Sequence, residues 1–335
     1  MPGPSPVWIS EADVVSLMDI GEALKALEKG LLAEAGGHAE NMVKTHVAWG
    51  NGSTLHAIGA VFSKDGFAGT KTWAHTAGGA TPMLILFDSE NGSLRAIIEA
   101  FALGQLRTAS ASGIATQRLA AKDADDFAII GTGKQALSQV AAVVAVRPVK
   151  RIRAFGRNEE RRAQFAARVE KEFGIETVPA PGIAEAVKGA SIITLVTRAT
   201  DPVITSEMID SRAHINAVGA IVPSRAEIGP DVLERCSQIV VDSLPQAQKL
   251  SRELVSFFGS PKEDGWMKVQ SLAELIAGKQ MRLASSDLTL FKSLGMGISD
   301  LSLGIELYRK ALRCGVGVEL PPGQRATPRM HAGGE

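Results

Sequence analysis

Two cations stand in apolar surroundings in the first third of the sequence. Lys71 lies within Phe67-Ala68-Gly69-Thr70-Lys71-Thr72-Trp73, and Arg107 within Leu103-Gly104-Gln105-Leu106-Arg107-Thr108-Ala109-Ser110. Burying an ammonium without an anionic partner is expensive. A lysine and an arginine that converge would grip a substrate carboxylate, the guanidinium through paired hydrogen bonds. Spacing alone favours solvated surface cations, and the two readings stay open at this point. The six histidines (His38, His46, His56, His75, His214, His331) show no metal-ligand spacing and are expected at the surface or satisfied in the core. His75 is a candidate polar neighbour of substrate, because it follows the strand that carries Lys71. No metal site, Ser-His-Asp order or P-loop is expected.

A second constellation is Gly131-Thr132-Gly133-Lys134-Gln135-Ala136, which follows the apolar run of residues 126–131 and opens a helical stretch. The first glycine permits a tight turn, and the second lets the backbone approach a pyrophosphate. The small Ala136 allows close helix–strand packing, while the helix N-terminus attracts phosphates. Alone, the pattern also fits an ordinary strand-to-helix turn; within an α/β alternation it points to a dinucleotide. An acidic residue ending the next strand would favour NAD(H) through the ribose hydroxyls. Here the sequence has Gly156-Arg157-Asn158, with Arg161 one turn later. Arginines suit a 2′-phosphate, so NADP(H) is expected ahead of NAD(H). A solvated helix start is the competing account of Arg157 and Arg161.

Positioning these residues requires two kinds of sheet. From residue 126 onward, strands over Arg151–Phe155, Ser191–Thr197, His214–Gly219 and Gln238–Asp242 alternate with helices over Lys134–Val146 and Glu159–Phe173. That spacing predicts a doubly wound parallel sheet of the Rossmann type. The first 120 residues differ. A helix over Gly21–Ala35 precedes strands over Thr45–Trp49, Leu55–Val61, Gly69–Ala74, Met83–Asp88 and Leu94–Glu99, separated by turns such as Asn51-Gly52-Ser53 and Asn91-Gly92-Ser93. This predicts a mixed α+β domain. A long small-residue helix from Phe101 to about Ala121 bridges the two. The expected division is 1–120 for substrate and dimerisation and 121–298 for the nucleotide. The last helix, Ser299–Arg313, is capped by Gly315, and the segment 299–335 is a candidate to return to the first domain.

Composition sets the outer bounds. A 335-residue chain with 45% apolar residues buries a sizeable core. Lys and Arg total 36 against 36 Asp and Glu. That balance gives no polyelectrolyte attraction, so neither nucleic acid nor membrane is an expected partner. No apolar run approaches the ~20 residues that span a bilayer. Met-Pro-Gly-Pro-Ser-Pro at the N-terminus is unlike a secretory signal. Cys236 and Cys314 read as ordinary thiols of a reducing compartment, which makes the expected location cytoplasmic.

Four separated motifs then converge. Leu106-Arg107-Thr108-Ala109-Ser110-Ala111-Ser112, the Gly131–Ala136 turn, His214-Ile215-Asn216-Ala217-Val218-Gly219-Ala220 and Leu290-Phe291-Lys292-Ser293-Leu294-Gly295-Met296 occur in that order. Together the motifs resemble the ornithine cyclodeaminase/mu-crystallin family over about residues 20–313. Val222-Pro223 with Glu227, and Val240-Val241-Asp242-Ser243, fit as well.

The resemblance implies a homodimer built through the N-terminal domain, with each active site between domains. It implies that Lys71 and Arg107 bind a carboxylate, with Lys71 also a catalytic candidate. Thr108 would lie beside the cofactor phosphates, and Gly131, Gly133, Lys134, Gln135 and Ala136 would form the pyrophosphate turn. Arg157, Asn158 and Arg161 match the 2′-phosphate region, while Thr197, Val218, Gly219 and Ser293 match the nicotinamide side. Two positions depart. Lys44 stands where the family usually has an arginine completing the clamp, which keeps the charge but loses the fork. Ile221 stands where the cyclodeaminases carry an aspartate that handles a second amine. The expected activity is therefore NADPH-dependent reduction of a cyclic 2-imino acid, such as pyrroline- or piperideine-2-carboxylate. The competing activities are ornithine cyclodeamination, an alanine-dehydrogenase-like or opine-type reaction, and nucleotide binding without catalysis.

Overall fold

The computed structural model describes residues 5–50 and 52–330; the N-terminal reading for residues 1–4, Asn51 of the first turn and His331 lie outside that range. The chain opens with β1 (Val7–Ile9), α1 (Glu11–Leu17) and α2 (Ile20–Ala35), both helices started by complete capping boxes, Ser10 with Asp13 and Asp19 with Glu22. The strands β2 (Ala39–Asn41), β3 (Thr45–Trp49), β4 (Ser53–Phe62), β5 (Phe67–Thr76), β6 (Gly79–Ala80), β7 (Met83–Asp88) and β8 (Leu94–Glu99) lead into α3 (Phe101–Leu119).

Strands and helices then alternate: β9 (Asp126–Ile130), α4 (Ala136–Val144), β10 (Arg151–Phe155), α5 (Glu159–Phe173), β11 (Glu176–Pro179), α6 (Ile183–Val187), β12 (Ile192–Leu195) and β13 (His214–Ala217). They continue with α7 (Pro230–Arg235), β14 (Cys236–Val241), α8 (Leu244–Leu250), α9 (Arg252–Phe258), β15 (Val269–Ser271), α10 (Leu272–Ala277), β16 (Leu288–Lys292), α11 (Gly297–Cys314) and β17 (Val318–Glu319).

The first sheet runs β17-β1-β8-β7-β5-β4-β2, with β3 also on β4 and β6 on β5. All its pairs are antiparallel except β1 with β8, so the sheet is mixed. The second sheet runs β11-β10-β9-β12-β13-β16-β14-β15 and every pair is parallel. This is the Rossmann-type sheet the alternation predicts. The order reverses between β9 and β12, and open α/β sheets hold ligands beyond the carboxyl ends of strands at such a point. No helix among the described residues is long and apolar enough to cross a membrane.

Helix α11 leaves the second sheet and packs on α2, β4, β5 and β7 of the first. The approach is close: a Cβ on Gly297 would lie 1.8 Å from the carbonyl oxygen of Gly59. Its glycine end is as the sequence predicts, with Gly315 left-handed at φ 64°.

Some element ends differ from the sequence reading. Strands β12 and β13 stop at Leu195 and Ala217, because the N–H groups of Thr197 and Gly219 turn from the ladder to a carboxylate, that of Glu227. Strand β16 is buried along its length, so it lacks the alternation that marks a half-exposed strand.

A buried polar network joins α3 to the second sheet. Asn216 Nδ2 donates to Thr116 Oγ1 at 2.9 Å and to Thr194 Oγ1 at 3.3 Å. The His214 ring bridges Asn216 Oδ1 at 3.1 Å and Thr289 Oγ1 at 3.0 Å. Burial pushes the His214 imidazole down to about 3, so the ring is neutral. Asn216→Leu keeps the volume and strands its partners. We expect a loss of about 3 kcal/mol in denaturant unfolding. A change within about 0.5 kcal/mol, the range of ordinary surface substitutions, would contradict this.

Candidate active site

Strand β5 packs under α11, and this brings Lys71 against Asp300. Lys71 Nζ donates to Asp300 Oδ1 at 2.5 Å, with the two side chains 5% and 0% exposed. Arg107, on α3, places Nε 3.3 Å from the same oxygen without hydrogen-bond alignment. The second oxygen, Oδ2, is buried and has no hydrogen-bond partner. Lys44, half-buried between β2 and β3, joins this group. Burial first, and then the Arg107 charge, hold its ammonium below the usual lysine range. Burial likewise pushes Lys71 down to about 8, although the Asp300 charge works in the opposite direction.

Three cations thus face one carboxylate that pairs with two of them. The cluster therefore carries net positive charge in a largely buried setting. The structure places Lys44, Lys71 and Arg107 together around Asp300. His75 sits further along the same face of β5 but is exposed, outside the buried group.

Arg107 is held from several directions. Glu11 accepts from the N–H groups of Phe101 and Ala102 at the start of α3. Arg147 donates to the carbonyls of Gln117 and Ala120 at 2.8 and 2.9 Å, closing its end. The guanidinium abuts Gly295, where a Cβ would lie 3.2 Å from Nη1. Gly295 belongs to the loop after β16, and buried Asp242 fixes that loop. Its carboxylate accepts from Ser293 Oγ at 2.9 Å, Leu294 N at 2.9 Å and Gly295 N at 2.7 Å. The candidate Ser293 is therefore a loop tie, 2% exposed.

Aromatic rings flank the cations. Lys71 Nζ lies 5.2 Å over Trp73, which stacks on His56 at 4.7 Å, which stacks on His46 at 5.5 Å. Burial, then the charge of Lys44, pushes His56 down to about 4 and keeps it neutral. Sequence reasoning missed Asp300, Asp242, Trp73 and His56 as parts of the site. Asp300 had a readable signal: it stands at a core-facing position of the stripe shared with Gly304, Leu307 and Ala311, where an unpaired acid is costly.

At the glycine-rich turn the structure fits a dinucleotide. Gly131 adopts φ 112°, and a Cβ there would lie 2.6 Å from the carbonyl oxygen of Val196. Gly133 has open space where a side chain would be. Ala136 is fully buried at the first turn of α4, and Gln135 Oε1 is buried without a partner. Lys134 is exposed, its ammonium 5.5 Å from the Phe101 ring centroid. Thr108 is buried, and its hydroxyl donates to the Gly104 carbonyl at 2.8 Å.

Arg157, Asn158 and Arg161 are exposed at the end of β10. Asn158 is the N-cap of α5, accepting from Arg161 N at 2.8 Å. Arg162, which the sequence reading passed over, donates to the Gly156 carbonyl at 2.9 Å and covers Phe155. Across the sheet, Val218 is buried and Thr197 and Gly219 bind Glu227; Ile221 is on the following loop, 36% exposed.

Comparison with known proteins gives a consistent result. The model of the ornithine cyclodeaminase/mu-crystallin family matches residues 6–314. Delta(1)-pyrroline-2-carboxylate reductase of Bacillus cereus is 33% identical over 240 residues, covering 70% of this chain and 72% of that protein. The solved Thermococcus litoralis Delta(1)-pyrroline-2-carboxylate reductase, in complex with NADH and L-proline, superposes with a TM-score of 0.88 at 27% identity, covering 94% of this chain and all of that one. An archaeal alanine dehydrogenase dimer with bound NAD gives 0.87 at 28% identity, covering 95% and 99%.

The open space over Gly133 yields a direct check. A Cβ at residue 133 meets no protein atom within 4 Å, so thermal unfolding of Gly133→Ala should stay close to wild type. Dinucleotide affinity, followed by nicotinamide fluorescence, should fall by about tenfold or more as the side chain occupies the pyrophosphate's approach. Undiminished affinity would remove the turn from the site.

Proposed function

The chain belongs to the ornithine cyclodeaminase/mu-crystallin family, and from that premise we propose that it reduces a cyclic 2-imino acid to the cyclic amino acid with NADPH. It is an NAD(P)-dependent oxidoreductase acting on C–N bonds. Pyrroline-2-carboxylate and piperideine-2-carboxylate are the proposed substrates. The observation that carries this reading is the Lys71–Asp300–Arg107 cluster, whose cations outnumber the carboxylate they pair with.

Lys71 and Arg107 hold the substrate carboxylate, with Lys44 adding charge where a bidentate arginine is absent. Asp300 fixes the two cations from beneath and keeps Lys71 protonated in a buried setting. When bound, the reduced nicotinamide supplies the hydride that converts the C=N carbon to C–H. The Lys71 ammonium, or water, gives the ring nitrogen the one proton that balances the hydride, and that nitrogen stays in the ring as a secondary amine. The neutral His56–Trp73 stack adds no charge to compete for the carboxylate. Ile221 offers no carboxylate for a second amine, which favours reduction over cyclodeamination.

For the nucleotide, residues 131–136 would hold the pyrophosphate. No acidic side chain ends β10 to repel a 2′-phosphate, and Arg157 and Arg161 are free to meet one, so NADPH is preferred over NADH. The assembly is a homodimer. Strand β3 is exposed along its length, and the cross-strand pair Val47–Leu55 is 58% and 45% exposed beside Trp49 at 46%. An apolar face of this kind suits a second copy of the chain.

NADPH oxidation should depend on either cyclic imino acid and run slower with NADH. Lys71→Met and Arg107→Leu should each lose about 100-fold or more in kcat/KM while still binding NADPH. Activity with open-chain 2-oxo acids plus ammonia, and none with cyclic imines, would replace this reading. Because the ammonium form is the competent one, kcat/KM should be fully present at low pH and fall as pH rises through about 8. Asp300→Asn removes the charge that raises the Lys71 pKa, so the fall should move to lower pH; an unmoved limb would detach Asp300 from Lys71. Light scattering should give twice the mass of the chain, and a monomer would refute the interface.

A further inference from the structure

Glu227 serves the site from beneath without reaching the cations that would hold substrate. It lies in the loop before α7 and has no exposure. Oε1 accepts from Thr197 N at 2.7 Å and Thr197 Oγ1 at 2.8 Å. Oε2 accepts from Gly219 N at 2.7 Å and Ala220 N at 3.1 Å. Four donors converge on this carboxylate, and none is a cation. Each oxygen takes two of them, so an amide in its place would turn a donor toward donors.

The two backbone segments that Glu227 joins leave adjacent parallel strands, β12 and β13, at their carboxyl ends. They touch directly: a Cβ on Gly219 would lie 2.0 Å from the Thr197 carbonyl oxygen and 2.5 Å from Glu227 Oε1. The Thr197 hydroxyl also accepts from Ala199 N at 3.2 Å, carrying the restraint onward. Glu227 is itself anchored. Its N–H donates to Glu253 Oε1 at 3.0 Å, which also accepts from Lys292 Nζ at 3.2 Å. Ser251 Oγ donates to the other Glu253 oxygen at 2.9 Å. Lys292 and Glu253 are 0% and 1% exposed, so the chain of contacts runs through the interior to the end of β16.

We infer that Glu227 is a positioning residue: it sets the height of residues 197 and 219–220, and through them the seat of the nicotinamide ring. The inference rests on the reading above that the dinucleotide lies across this edge of the sheet. Glu227's own hydrogen bonds fall on residues 197 and 219–220, so its effect is placed mainly on the nicotinamide half, although Val196 also packs on Gly131. The pyrophosphate turn and the Arg157 region sit on β9 and β10, on the other side of the switch point.

The test compares wild type with Glu227→Gln, Glu227→Asp and Thr197→Val. Calorimetry would measure binding of NADPH and of 2′-phospho-ADP-ribose, a fragment without nicotinamide. Steady-state kinetics would use NADPH deuterated at the transferring position. In Glu227→Gln, fragment affinity should stay within about twofold of wild type. NADPH should bind more weakly, kcat should fall about 10–100-fold, and the primary isotope effect on kcat should rise. Glu227→Asp should recover part of the loss, and Thr197→Val should move the same quantities less far.

Unchanged kcat and isotope effect in Glu227→Gln would overturn the inference, as would equal losses for NADPH and the fragment. Should that variant not fold, unchanged values in Thr197→Val overturn it alone. Wild type inert toward every imine would refute the proposed function; the affinity difference between NADPH and the fragment would still decide the role of Glu227.

Discussion

A buried carboxylate that must neutralise two cations organises this molecule. Asp300 has no exposure, and its one paired oxygen serves both Lys71 and Arg107. Removing one partner from a buried pair typically costs about 3–5 kcal/mol, because a charge is left without compensation. The three residues come from β5, α3 and α11, so this contact ties the first sheet, the bridging helix and the returning C-terminal helix. Full neutrality is not reached. The residual positive charge, reinforced by Lys44, is what the proposed reading assigns to the substrate's acid group.

Geometry elsewhere keeps those cations beside the parallel sheet. Helix α3 carries Arg107 near its start and Thr116 near its end, and the His214–Asn216 network fastens it to β12, β13 and β16. Buried carboxylates then shape the loops beyond the strands. Asp242 holds residues 293–295 against Arg107, and Glu227 holds residues 197 and 219–220 together. Backbone N–H groups supply much of their compensation, which fixes loop geometry without adding cations to the site. Charge is thereby concentrated at Lys44, Lys71 and Arg107.

The glycine-rich turn and the parallel alternation were legible in the sequence because they depend on local requirements. Gly131 needs its positive φ, and a buried parallel strand needs a continuous apolar run. Lys71 and Arg107 were legible as unusual cations, but their convergence was not, since it depends on α11 folding back over β5. Asp300 was hidden for the same reason. Its partner lies 229 residues away in sequence, and no spacing rule connects them. The ends of β12 and β13 were read too long because a carboxylate from a distant loop captures the N–H groups that would have continued past them. Short strands such as β1 and β17 carry too few residues to show a period.

The account is tested most directly by a crystal structure grown with oxidised dinucleotide and a cyclic amino acid such as L-proline or L-pipecolate. It predicts the amino acid's carboxylate within hydrogen-bond reach of Lys71 Nζ and the Arg107 guanidinium, with the ring facing the nicotinamide. A carboxylate bound elsewhere, with Lys71 and Arg107 still engaged only by Asp300, would contradict it.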